Sequence, residues 1–104
     1  MKVIYVSGPY TAGSNKEIES NIKRARVVAE NLWARGWAVI CPHLNTAKKT
    51  VMPYETYLAG DMAILARCDA IYMMIDWLRS GGAIKEQKYA SDNGIFIMYE
   101  ANND

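Results

Sequence analysis

The chain has little with which to hold a metal or a disulfide framework: its 104 residues include one histidine and two cysteines, Cys41 and Cys68, that form no C-x-x-C pair. Both are expected to be buried thiols, and neither a metal nor a cofactor is expected. Nor is one sign of charge in excess. The net charge is +1 and the 12 basic residues are scattered, whereas a nucleic acid polymer needs a concentrated basic face. Long apolar runs are missing too. No stretch approaches the roughly 18 residues of a membrane span, and the segment before the first loop is too short for the apolar region of a secretory signal. These absences point to a cytoplasmic protein that binds neither a membrane nor a nucleic acid polymer; free nucleotides stay open as ligands.

What is present is an ordinary soluble composition, 51% hydrophobic and 22% charged, enough for one domain over residues 1–104 with a single closed core. Residues 3–7, 38–42, 70–75 and 95–99 are short, β-favouring apolar runs with little alternation, the pattern of parallel strands covered on both faces. Helical patterns separate them. The first, over 17–35, carries Ile18, Ile22, Ala25, Ala29 and Leu32 on one stripe and stops at Gly36. The second covers 53–67, and the third covers 82–93 with Gly94 as its stop. This β-α-β-α-β-α-β order implies an α/β fold of three layers, flavodoxin- or Rossmann-like, whose four parallel strands run 2-1-3-4. Right-handed crossovers then put the first helix on one face and the other two together on the opposite face.

Strands 1 and 3 flank the switch point of that sheet, and each leads into a glycine-bearing loop, Ser7-Gly8-Pro9-Tyr10 and Ser80-Gly81-Gly82-Ala83. Such turns aim backbone N–H groups and a helix N-terminus at one crevice, where phosphate is a natural occupant. The second loop also delivers Glu86 into the start of its helix, where the macrodipole favours a carboxylate. Asp61 falls on the stripe Tyr54, Leu58, Asp61, Leu65, and Glu86 on the stripe Ala83, Glu86, Ala90, so two acids stand where the pattern calls for core residues. One reading is a catalytic pair for glycosidic chemistry, a nucleophile and a proton-handling acid. The other is structural, with Asp61 paired to a buried donor and Glu86 serving the helix dipole.

The remaining candidates divide in the same way. Ser80 stands too far from Glu86 for a capping box, which leaves its hydroxyl for a ligand beside the Gly81 and Gly82 backbone; an ordinary polar turn fits equally. Tyr5 could hydrogen-bond a carboxylate or fill the core. His43 and Asn45, in Pro42-His43-Leu44-Asn45-Thr46, follow strand 2 at the same rim, although a lone loop histidine is usually exposed to solvent. Lys48 and Lys49 read as solvated.

Taken in order, Ile4 to Tyr10, Cys41 to Thr46, Gly60-Asp61 with Cys68-Asp69-Ala70, and Ser80 to Ala83 with Glu86 resemble the nucleoside 2-deoxyribosyltransferase superfamily, especially its small, often phage-encoded branch. The resemblance covers nearly the whole chain. It implies that Glu86 is the nucleophile, that Asp61 assists at the base and sugar, and that Tyr5 orients the nucleophile. It also implies substrate contacts from Ser7, Gly8, Pro9, Tyr10, His43, Asn45, Ser80, Gly81 and Gly82, and a homo-oligomer. The nucleoside transferases carry an aspartate at the position of Ser80, whereas the similar 2'-deoxynucleoside 5'-phosphate N-hydrolases carry a phosphate-binding serine. The resemblance therefore favours nucleoside monophosphates over nucleosides, with hydrolysis or base transfer as the reaction. It departs from the pattern in two places: the chain ends soon after strand 4, where the family has a fifth strand, and the first loop lacks the hydrolases' arginines. A nucleotide-binding or sensing module without turnover is the rival reading. A receiver or flavin domain is disfavoured, because no acidic cluster ends strand 1 and no aromatic-rich flavin loops occur.

Overall fold

A computed structural model describes residues 1–10, 13–45 and 52–101, the side chains of Leu44 and Asn45 excepted. Its elements are β1 (Val3–Ser7), α1 (Asn15–Ala34), β2 (Ala38–Ile40), α2 (Pro42–Asn45), α3 (Tyr54–Leu65), β3 (Ala70–Met73), a 3-10 turn (Trp77–Arg79), α4 (Gly81–Asp92) and β4 (Phe96–Tyr99). All strand pairs are parallel and the sheet order is β2-β1-β3-β4, as the sequence pattern implies. Tyr5 stands beside Ile71 and Ser7 beside Met73 in the β1–β3 register. No helix among the described residues is long and apolar enough to cross a membrane.

Strand alternation divides the core. Ile4 and Val6 of β1 face α1, where they meet Ala25, Val28, Ala29 and Leu32, while Tyr5 faces α3 and α4 and meets Leu65, Ala83 and Ala90. Helix α1 starts at a capping serine, whose Oγ accepts from Glu17 N at 3.2 Å, and its end gives way to Gly36 at φ +95°. Val28 joins the stripe expected from the sequence.

Some boundaries differ from the expected ones, each for a local reason. Strand β2 ends at Ile40 rather than 42, because Pro42 carries no N–H for a ladder and instead opens α2. Strand β3 ends at Met73 rather than 75. Met74 N still reaches Ser7 O at 2.8 Å, after which the chain tightens into the 3-10 turn. Helix α4 begins at Gly81 because Ser80 is its N-cap.

Candidate active site

The alternation that sends Tyr5 toward α4 also sends Ser7 there, and the helical spacing of Ala83, Glu86 and Ala90 turns Glu86 back toward β1. The three side chains meet. Tyr5 Oη donates to Glu86 Oε2 at 2.5 Å, and Ser7 Oγ donates to Glu86 Oε1 at 2.6 Å. Glu86 is 7% exposed and Tyr5 fully buried, so each carboxylate oxygen is held by a hydroxyl within a desolvated wall. Glu86 forms that wall of a cavity of about 520 Å³, and the half-buried Asp61 of α3 lines the same space. Tyr5, Ser7, Asp61 and Glu86, all named from the sequence, thus converge on one site. Ser7 is turned toward Glu86 rather than only toward a ligand.

Electrostatics follow from this burial. Desolvation pushes the Glu86 carboxyl up to about 7; the Ser7 and Tyr5 hydrogen bonds oppose the shift, and the neighbouring Asp61 charge adds to it. Burial likewise raises Asp61 to about 6. The Tyr5 phenol is pushed far above its usual range, first by burial and then by Glu86, and so remains a donor. Two acids that face one cavity therefore exchange their protons close to neutrality, as general acid–base chemistry requires.

The β1–α1 loop approaches the sheet so closely that a Cβ on Gly8 would lie 2.6 Å from Met74 Sδ and 2.8 Å from its Cβ. That contact alone accounts for a glycine there. The Pro9 carbonyl accepts from His43 Nε2 at 2.7 Å, which fixes the imidazole with its proton on Nε2 and leaves Nδ1 facing Cys41 Sγ at 4.0 Å. His43 lies on α2 and is 4% exposed, not a solvated loop residue. Burial lowers its pKa, with the Pro9 bond opposing, so the ring is held neutral. His43 still lines the cavity, and its ring makes a T-shaped contact with Tyr10 at a centroid distance of 5.9 Å.

At the other loop Ser80 Oγ accepts from Ala83 N at 3.1 Å. The hydroxyl oxygen is thus engaged as the α4 N-cap rather than free as the sequence reading had it, while its hydrogen can still be donated into the cavity. The N–H groups of Gly81 and Gly82 open α4 without intrahelical acceptors. Gly82 is also sterically constrained, since its Cβ would come 3.3 Å from Tyr54 Oη.

Gly8, Tyr10, His43, Ser80, Gly81 and Gly82 line the cavity, and Pro9 lies behind it as the acceptor for His43. The Asn45 side chain, Thr46, Lys48 and Lys49 lie outside the described residues. Sequence reasoning missed Arg79, Met52 and Tyr57, which also line the space. For Arg79 a signal existed, a guanidinium one residue before Ser80-Gly81-Gly82.

The chain superposes on a 2-deoxyribosyltransferase from Bacillus psychrosaccharolyticus with a TM-score of 0.67 at 20% identity, covering 93% of this chain and 70% of that one. A 2-deoxyribosyltransferase from Leishmania mexicana gives a TM-score of 0.67 at 17% identity, over 95% of this chain and 63% of that one. At these identities the likeness is one of fold, and at that level it bears out the resemblance to the 2-deoxyribosyltransferase superfamily. No curated protein sequence matches the chain. Residues 2–99 match the family model described as a domain of unknown function, DUF4406, and the chain belongs to that family.

Proposed function

We propose that this protein is an N-glycosidase acting on (deoxy)nucleoside 5'-monophosphates. Glu86 attacks C1', the bond from C1' to the base nitrogen breaks, and Asp61 gives its proton to the departing base. Water, deprotonated by Asp61, then attacks C1' and releases Glu86 with sugar 5-phosphate as product. Delivery of the glycosyl group to a second base is the close variant. The observation that carries the reading is Glu86 itself, a carboxylate 7% exposed at a cavity wall with both oxygens held by hydroxyl donors. A structural role at a helix start requires no such wall or donors.

The cavity supports the choice of substrate. Its volume of about 520 Å³ is of the size that encloses small-molecule ligands. Arg79, the Ser80 hydroxyl and the free N–H groups of Gly81 and Gly82 supply positive potential at one side for a phosphate. Tyr10, Tyr54 and Tyr57 offer aromatic surface for a base.

Self-association through the α3 or α4 face belongs to the same proposal. Helix α3 is rich in apolar residues, yet only Leu65 is fully buried within it, and Tyr54 is 56% exposed. Incubation with a panel of nucleosides and their 5'-monophosphates, followed by chromatography for free base, tests the activity. Base release from monophosphates is expected; ligand binding without base release from any member would transfer the site to a sensing module.

A further inference from the structure

We propose that Arg24 is a positioning residue that braces the two ligand loops against each other from the far side of the sheet. It sits on α1, which packs against the face opposite Tyr5 and Glu86 and contributes no residue to the cavity lining. Its guanidinium nonetheless reaches the second loop directly, at Asp76, and the first through Asn21. Nη1 and Nη2 donate to the two carboxylate oxygens of Asp76 at 3.2 and 2.7 Å, and Nη2 also donates to Asn21 Oδ1 at 2.8 Å. Asn21 in turn donates through Nδ2 to the Tyr10 carbonyl at 3.2 Å.

Each end of this chain of bonds terminates on backbone that shapes the site. Asp76 O accepts from Arg79 N at 3.0 Å and so anchors the 3-10 turn that presents Arg79 and Ser80 to the cavity. At the other end the Tyr10 carbonyl is held by Asn21 and the preceding Pro9 carbonyl by His43, so two consecutive peptide groups of the first loop are fixed. A planar fork with a third donor direction is needed to serve Asp76 and Asn21 together; a lysine ammonium cannot match that geometry. The Arg24 and Asp76 side chains are 38% and 20% exposed, so the pair adds little to global stability. Its effect lies in the relative placement of the loops, on which substrate positioning depends.

The kinetic arm of the test rests on the proposed function, and the exchange arm does not. In the free protein, Arg24→Met should speed amide hydrogen exchange across Trp77 to Ser80, whose turn bonds to Met74 O, Asp76 O and Trp77 O supply the protection, by about tenfold. With a 5'-monophosphate that the wild type cleaves, KM should rise about tenfold while kcat stays within about threefold, the signature of lost positioning rather than lost chemistry. Asp76→Asn should reproduce both effects, the double variant should be no worse than either single one, and Arg24→Lys should recover only part. Unchanged exchange at 77–80, or additive effects in the double variant, overturns the brace even if base release is normal. If the wild type releases no base, the glycosidase reading fails alone, and exchange together with calorimetric affinity for the same monophosphate still decides the role of Arg24.

Discussion

Glu86→Gln should separate a nucleophilic carboxylate from a structural one by moving activity and stability in opposite directions. The carboxyl is held near pKa 7 in the folded chain against an ordinary value of 4.5. A raised folded pKa means that the native state binds the proton more tightly than the unfolded state; the group's contribution is intact below about pH 4.5 and is lost as pH rises through about 7. Above that pH an ionised Glu86 costs the fold up to about 3 kcal/mol, at 1.36 kcal/mol for each pH unit between 4.5 and about 7. Glutamine keeps the shape and removes the charge. Ser7 and Tyr5 can still bond to the amide, one hydroxyl turning to accept from it. At pH 8 the variant should therefore unfold by calorimetry at a temperature higher by up to about 12 to 15 °C, for a chain of this size, and the gain should shrink toward zero at pH 4. Turnover should fall by several orders of magnitude while the ligand still binds. A variant less stable at pH 8, or equally stabilised at both pH values, would refute the reasoning.

The neighbouring groups give further expectations. For the wild type, kcat/KM should follow a bell with limbs near pH 6 and 7, because the active form of the coupled pair carries one proton, on Asp61 with Glu86 ionised, the less populated of its two singly protonated arrangements; Asp61→Asn should abolish the alkaline limb and spare substrates whose base leaves without protonation. Survival of that limb contradicts the role given to Asp61. Ser80→Asp preserves a good N-cap but places a charge beside Gly81 and Gly82, and should weaken monophosphates selectively by about 1 to 3 kcal/mol in calorimetry. Equal losses for nucleoside and nucleotide would remove the phosphate from this loop. Light scattering at micromolar concentration should show a dimer or larger species, and a monomer would refute an α3 or α4 interface.

Much of the fold was legible because its signals are periodic. The apolar run of β1, the stripe of α1 and the glycine stops place the elements within a few residues, and strand order with right-handed crossovers then brings the two loops together. Asp61 and Glu86 stood out because each interrupts an apolar stripe. What the sequence concealed depends on through-space contacts. Gly8 is explained by Met74, 66 residues away, and His43 is buried because α2 packs it under Pro9. Ser80 caps α4 through a bond that a search for the capping-box pattern does not detect. No periodic signal marks Arg24, whose role rests on its bond to Asp76, 52 residues on.

The most direct measurement of the central claim is peptide mass spectrometry of wild-type protein incubated with a 2-fluoro-2-deoxy nucleoside 5'-monophosphate, in which the electron-withdrawing fluorine destabilises the oxocarbenium-like transition state for hydrolysis of the glycosyl ester and so lets the ester accumulate. The account predicts a fluorosugar phosphate adduct on the peptide that contains Glu86, absent in Glu86→Gln. Base release from natural monophosphates by both wild type and Glu86→Gln, with no adduct on that peptide, would contradict it.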